Sequence, residues 1–141
     1  MEVKILAKID NKSYFEFVAS TIQSTIDISD SEDKTLKKGL TYDKIVQTGF
    51  SKREISTVKV LQYTHPRVLE LEYKTQKLRS VIKYVILPKS KDTCEVTYTE
   101  IHYLPNNQIK KLGTFKEMSA KKRIEKRMIG VVDYLKKQAV K

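Results

Sequence analysis

The segment "CEVTYTEIHY" contains the residue types with the greatest potential for chemistry, a carboxylate at Glu100 and an imidazole at His102. Side chains two positions apart on a strand point to the same face of the sheet, so these groups would lie side by side. Such a pair can form an acid–base or hydrogen-bonded unit. The alternative is that the strand leaves the core at this point and both groups meet solvent. The residue types leave both interpretations open.

The chain is also enriched in tyrosine, with eight tyrosines and no tryptophan. Three of them, Tyr73, Tyr84 and Tyr98, fall on the inward rows of three successive predicted strands. An inward tyrosine contributes apolar area together with a hydroxyl that needs a hydrogen-bond partner. This pattern is typical either of a packed core or of a pocket with a partly polar lining.

Other reactive residue types favour structural interpretations. Cys94 shares an inward row with Val96, which predicts a buried apolar side chain rather than a nucleophile. His65 precedes Pro66 and is interpreted as a turn residue. The two histidines and one cysteine lack the spacing of a metal site, and the glycines form no phosphate-binding loop. We therefore predict no metal site, no cofactor and no catalytic residue, although a pocket-based enzyme remains a third possible class.

Alternation of apolar and polar side chains predicts the strands that position these residues. The first strand covers Glu2–Ile9, and five more are separated by turn sequences such as "HPR" and "PKSKD". The five cover Leu40–Thr48, Ile55–Thr64, Arg67–Thr75, Leu78–Leu87 and Thr93–Tyr103. Because short connections join strands as antiparallel hairpins, we expect a five-stranded meander with the first strand added at an edge.

Two helices are predicted between the first and second strands. Ser13 and Glu16 form a capping box ahead of an amphipathic pattern that continues to about Ile28. In "SDSEDKTLKKG", early acidic residues, late lysines and Gly39 predict a second, short helix.

The last predicted helix begins at Thr114, where Thr114 and Glu117 form another capping box. At about 100° per residue, one arc of this helix is apolar and consists of Ala120, Ile124, Met128, Val131, Val132, Leu135 and Ala139. The opposite side carries Lys122, Arg123, Lys126 and Lys137, with no aromatic residue assigned to it. This pattern predicts a helix that closes the core of the sheet and exposes its basic side. Gly130 lies within this helix, and it predicts either a close approach of the helix to the sheet or a bend over the mouth of a pocket.

The charge composition leaves an alternative function open. Lysine and arginine number 28 against 17 acidic residues, for a net charge of +11. Such an excess favours polyanions, but it also serves solubility, and most basic residues are scattered over turns and outer faces. Specific nucleic-acid binding is therefore not predicted. The alternative is a regulatory or binding module that contacts nucleic acid or an acidic protein through the basic side of the last helix.

The whole chain, residues 1–141, is predicted to form one domain. It has no apolar run of about 18 residues that would predict a membrane span. The opening "MEVKILAKID" does not have the pattern of a signal peptide, and a single cysteine cannot form an internal disulfide. A cytoplasmic location is the resulting expectation.

Three segments, "MEVKILAKIDNKSYFEFVAST", "VIKYVILPKSKDTCEVTYTE" and "KKRIEKRMIGVVDYLKK", together with the order of elements, resemble the helix-grip fold of the START-like superfamily. That superfamily includes lipid-transfer and polyketide aromatase/cyclase proteins, and a small uncharacterised Gram-positive bacterial family is the nearest resemblance. It implies an α+β fold in which a curved antiparallel sheet of about six strands wraps around the C-terminal helix. It also implies a pocket between them for a small apolar or amphipathic ligand. The candidate ligand-binding residues are Tyr73, Tyr84, Tyr98, Glu100, His102, Met128 and Val131.

Overall fold

The computed structural model describes residues 1–47 and 52–139 and arranges them as six strands and two helices. The strands are β1 (Glu2–Ala7), β2 (Thr41–Gln47), β3 (Arg53–Thr64), β4 (Val68–Lys74), β5 (Arg79–Ser90) and β6 (Thr93–Tyr103). The helices are α1 (Asn11–Asp27) and α2 (Thr114–Ala139). A single curved antiparallel sheet with a long C-terminal helix confirms the predicted α+β architecture.

The strand order in the sheet is β1-β6-β5-β4-β3-β2, with every neighbouring pair antiparallel. The strands β2 to β6 form the predicted meander, and β1 joins at its edge by pairing with β6. Register shifts in β3 and β5 interrupt the ladders, and such bulges bend a strand and increase its twist. Thr48, the predicted end of β2, and residues 49–51 of the turn predicted after it lie outside the described residues. Arg53 and Glu54, predicted as part of that turn, instead belong to β3.

The N-cap of the first helix lies three residues before the predicted cap, Ser13. Asp10 is the N-cap, and its carboxylate accepts hydrogen bonds from the backbone N–H of Ser13 at 2.9 Å and from the Ser13 hydroxyl at 2.8 Å. The prediction of Ser13 as the cap is therefore wrong. An aspartate accepts through two oxygens and satisfies an exposed helix donor well, so the helix starts at the earlier residue.

The predicted second helix is also wrong, because residues 28–40 contain no helix. Asp33 accepts the backbone N–H of Thr35 at 2.9 Å, and the Lys34 ammonium donates to carbonyls at the end of α1, including that of Ile26. Short polar side chains compete in this way with helical backbone hydrogen bonds. Gly39 has a φ of 90° and donates its N–H to a β3 carbonyl at 2.8 Å, which aligns the chain for β2.

The C-terminal helix packs mainly against β1 and α1, and α1 in turn packs against β5 and β6. One stripe of α2 is buried and consists of Ala120, Ile124, Met128 and Val132. Lys122, Arg123 and Lys126 are exposed. The helix therefore covers the core as predicted, but with a narrower stripe: Val131 and Leu135 are only partly buried and Ala139 is exposed. Neither helix in the described part of the chain is long and apolar enough to cross a bilayer.

Candidate functional site

A cavity of about 450 Å³ lies between α1, α2 and β5, and we call it the interhelical cavity. Its apolar walls include Phe17 and Val18 from α1 and Met128 and Val131 from α2. Tyr134 on α2, which is 50% exposed, brings its ring to 5.4 Å from that of Phe17, measured between centroids. These two aromatic rings bridge the helices beside the cavity.

Tyr84 of β5 forms the sheet side of the interhelical cavity. Its cross-strand neighbour is Tyr98 of β6, and the two rings meet edge-on with centroids 5.1 Å apart. Tyr98 is 2% exposed and does not line the cavity, so it supports Tyr84 from within the core. Burial raises the pKa of the Tyr84 phenol, an effect that the charge of Arg127 partly opposes. The Tyr84 hydroxyl is therefore protonated at neutral pH.

Arg127 contributes a charged group to the interhelical cavity, and the sequence patterns did not identify it as a site residue. Its guanidinium carbon lies 5.7 Å from the centroid of the Tyr98 ring, within the range of a cation–π contact. It stands next to Met128, at the boundary between the apolar and basic sides of α2. That boundary position was the available signal, because a long side chain there can turn either to solvent or to the core.

Glu100 is the centre of a hydrogen-bonded chain that we call the Glu100 chain. The Tyr98 hydroxyl donates to Oε1 of Glu100 at 2.6 Å, and Nε2 of His102 bonds to Oε2 at 3.0 Å. Nδ1 of His102 is hydrogen-bonded to the Ser80 hydroxyl at 2.6 Å. The pair predicted from i, i+2 spacing is therefore formed. Ser80 was missed because it joins through the β5–β6 register, in which it lies opposite His102.

The Glu100 chain holds its carboxylate in the charged form. The hydrogen bond from His102 is the largest cause that lowers the pKa of Glu100, with the Tyr98 hydrogen bond adding to it against the effect of burial. Burial and the adjacent carboxylate both raise the pKa of Tyr98. At neutral pH a protonated phenol therefore donates to an ionised carboxylate, an arrangement that is stronger than a neutral hydrogen bond.

Substituting Glu100 by glutamine is expected to destabilise the fold by about 1–3 kcal/mol at neutral pH, because it weakens hydrogen bonds to a charged acceptor. The folded pKa of Glu100 is lowered, so its stabilising effect is present above the unfolded pKa and is lost as the pH falls through the folded value. The difference between wild type and Glu100→Gln should therefore shrink on acidification from about pH 7 to about pH 3. Urea unfolding at several pH values measures it.

A matched control for this experiment is Glu2→Gln, because Glu2 is exposed on β1. Its effect on the free energy of unfolding should stay within about 0.5 kcal/mol. A Glu100→Gln difference that does not vary with pH would contradict the proposed role of the charge.

A second cavity, of about 430 Å³, lies beyond the end of β6, beside the N-terminus of the chain and the start of α2. Glu100 and His102 line it together with Ile109, Leu112 and Glu117. The structure thus divides the seven candidate ligand-binding residues between different places. Tyr84, Met128 and Val131 line the interhelical cavity, Glu100 and His102 line the second cavity, and Tyr73 and Tyr98 line neither.

Three other residues singled out by the sequence occupy well-defined positions. Cys94 is fully buried, and burial raises the pKa of its thiol to about 11, so it is protonated at neutral pH. His65 lies in the turn before β4, where its ring meets Phe15 edge-on with centroids 5.2 Å apart. A Cβ added to Gly130 would meet no atom within 4 Å, so the predicted close approach at this glycine is wrong. Within residues 1–47 and 52–139, no cluster of three or more His, Cys, Asp or Glu side chains has a metal-binding arrangement.

The basic side of α2 also differs from its prediction. Phe115, in the first turn of the helix, is 86% exposed. It precedes Lys122 by seven residues, which is two helical turns, so both project from the same side. The prediction that this side carries no aromatic residue is therefore wrong.

The family model described as Domain of unknown function (DUF3284) matches residues 1–128. The chain belongs to the DUF3284 family. The DUF3284 match contains the Glu100 chain and Arg127, whereas Val131 and Tyr134 of the interhelical cavity lie beyond it. No curated protein sequence matches the chain significantly.

Solved structures share the fold of this DUF3284 chain at low sequence identity. A conserved protein from Geobacillus kaustophilus has a TM-score of 0.61 at 11% identity, over 96% of this chain and 94% of that chain. The Zhui aromatase/cyclase from Streptomyces sp. R1128 has a TM-score of 0.58 at 9% identity, over 99% and 94%. A norcoclaurine synthase from Thalictrum flavum, in complex with a transition-state analogue, has a TM-score of 0.56 at 12% identity, over 96% and 94%. The DUF3284 chain therefore has the helix-grip fold that its sequence resembles.

Proposed function

We propose that the protein binds a small apolar or amphipathic molecule in the interhelical cavity. The observation that carries this proposal is the lining, in which Phe17, Val18 and Met128 form an apolar wall while Arg127 and Tyr84 supply polar groups. Ligand sites are typically concave, about 300–1,000 Å³ in volume, mostly apolar, and provided with a few polar groups that orient the ligand. The cavity of about 450 Å³ lies within that range.

Two of the structural relatives support a small organic molecule as the class of ligand. One is named as an aromatase/cyclase, and the other is a norcoclaurine synthase bound to a transition-state analogue. The lining of the interhelical cavity favours binding over catalysis in this chain. Among the described residues that line it there is no carboxylate, imidazole, amine or thiol to serve as a general base or a nucleophile. We place this binding protein in the cytoplasm, where a lone buried thiol such as Cys94 stays reduced.

A titration with Nile red, a neutral apolar dye, tests the proposed function. Val131→Phe should fill the cavity and weaken dye binding by about tenfold, since excluding about 60 Å² of apolar contact costs about 1.5 kcal/mol. Ile129→Phe is the matched control, because Ile129 is exposed on the same helix and does not line the cavity. Equal dye binding by wild type and folded Val131→Phe would rule out this cavity as the binding site.

A second candidate function is contact with an anionic partner through the basic side of α2, and the exposure of Phe115 favours it. An aromatic ring on the same side of α2 as Lys122 suits single-stranded nucleic acid, because bases stack on aromatic side chains while cations bind the phosphates. Binding to single-stranded DNA that depends steeply on salt and is lost in Phe115→Ala would support this candidate. If Phe115→Ala leaves the salt-dependent binding unchanged, the net charge of +11 alone would account for that binding.

A further inference from the structure

The described polar groups that line the interhelical cavity carry a net positive charge. Among the described residues that line the cavity, Arg127 is the single charged side chain. In the described part of the chain its guanidinium forms no ion pair with a carboxylate. Glu100 is near enough for its pKa to be lowered by the charge of Arg127, but its two oxygens are already bonded to Tyr98 and His102. The Tyr84 and Tyr98 hydroxyls are also within hydrogen-bonding reach of the guanidinium. Because a guanidinium has five N–H donors, these contacts leave donors that a ligand in the cavity can use.

The uncharged polar groups in the same cavity are also suited to an anion. Burial raises the pKa of Tyr14 and of Tyr84, so both phenols are protonated and can donate a hydrogen bond at neutral pH. The Thr21 hydroxyl is an exception, because its one O–H already donates to the Val18 carbonyl at 2.7 Å within α1. None of the lining residues in the part of the chain that the structure describes carries a carboxylate that would repel an anion at short range.

We infer that the ligand of the interhelical cavity is an amphipathic carboxylate whose head group binds the guanidinium of Arg127. Its apolar part then lies along Phe17, Val18 and Met128. The inference rests on the proposed function and specifies the class of ligand for that site. A guanidinium presents paired donors that match the two oxygens of a carboxylate, and such charge-assisted pairs are among the stronger hydrogen bonds. Arg127 is exposed and has no carboxylate ion-pair partner among the described residues, so its guanidinium is accessible for this contact.

Glu100 is the nearby charge that opposes an anionic ligand. It does not line the interhelical cavity, but it accepts a hydrogen bond from Tyr98, whose ring Arg127 contacts, and the charge of Arg127 lowers its pKa. Glu100→Gln removes this competing negative charge while it preserves the shape of the side chain. The carboxylate affinity of Glu100→Gln should therefore rise by about twofold to tenfold, opposite in sign to the effect of removing Arg127.

The experiment compares decanoate with decanol, which share a chain length and differ in head-group charge, by displacement of Nile red from the full chain. Wild type is expected to bind decanoate more tightly than decanol. Arg127→Gln should weaken decanoate binding by about 10- to 100-fold and change decanol binding by no more than about twofold. Arg123→Gln is the control, because it removes the same charge from an exposed position one turn earlier on α2 and should change neither ligand by more than about twofold.

Three outcomes overturn the inference. Equal losses for decanoate and decanol in Arg127→Gln would mean that Arg127 shapes the cavity and does not bind a carboxylate, while the proposed function would stand. Equal losses of decanoate in Arg127→Gln and Arg123→Gln would assign the attraction to the net charge of the protein. If decanoate and decanol both fail to displace Nile red that binds in a Val131-dependent manner, the cavity binds apolar molecules of another class. Nile red binding that does not depend on Val131 contradicts the proposed function itself.

Discussion

Replacing Phe15 by alanine is expected to lower the free energy of unfolding by about 3–5 kcal/mol. Phe15 on α1 is completely buried, and its ring meets the rings of Tyr63 and His65 edge-on, with centroids 5.6 and 5.2 Å away. Truncation removes the burial of the phenyl group and leaves a void between α1 and the sheet, because rigid aromatic neighbours cannot collapse into it. Urea unfolding followed by far-ultraviolet circular dichroism measures the loss.

Phe115→Ala is the matched control, since it deletes the same group from a position that is 86% exposed. The free energy of unfolding of this variant should stay within about 0.5 kcal/mol of wild type. Similar effects at the two positions would mean that α1 does not dock on the sheet through Phe15. The contrast would also show that any loss of partner binding in Phe115→Ala is not a loss of folding.

Met128→Ala is expected to lower the free energy of unfolding by about 2–5 kcal/mol. Met128 is 1% exposed at the middle of the buried stripe of α2, and it also forms part of the wall of the interhelical cavity. Removing its side chain weakens the contact between α2 and the core. One side of Met128 already borders the cavity, so little rearrangement can fill the space that the side chain leaves. The loss of stability should therefore include both the lost burial of the side chain and the cost of the void.

Lys126→Ala, two residues earlier on the exposed side of α2, is the control and should change stability by no more than about 0.5 kcal/mol. Both variants are measured by urea unfolding, with the slope of the transition compared to ensure that the unfolded states are alike. A loss for Lys126→Ala as large as that for Met128→Ala would contradict the orientation of α2 on the sheet.

Local periodicity was sufficient to predict most of the fold. The bounds of β6 agree with the prediction at both ends, and α2 begins at the predicted Thr114. The alternation that placed Cys94 and Tyr98 on the inner face of β6 is confirmed by their burial. These features are predictable because the direction of a side chain along a strand or helix follows from backbone geometry alone. The contact of Glu100 with His102 was predictable for the same reason, since both belong to one face of one strand.

Where two local signals compete, the sequence pattern did not predict which of them the folded chain uses. Asp10 and Ser13 both have good cap chemistry, and their mutual hydrogen bonds decide which one is the cap. The acidic and basic residues of "SDSEDKTLKKG" resemble those of a helix, but Lys34 bonds to the end of α1 instead. A helix of that length is marginal without tertiary packing, and there the tertiary contacts favour an extended connection.

By itself, the sequence determined the order of the six strands and the two long helices, the inward rows of the sheet and the centre of the buried stripe of α2, because each depends on a repeat within one element. Only the tertiary structure decided which inward residues share a cavity. Tyr84 meets Arg127 across the space between β5 and α2, whereas Glu100, one strand away, lines a different cavity. Ser80 reaches His102 only through the strand register. These contacts join residues far apart in the chain, so they depend on the docking angle and register of whole elements, which no local repeat encodes.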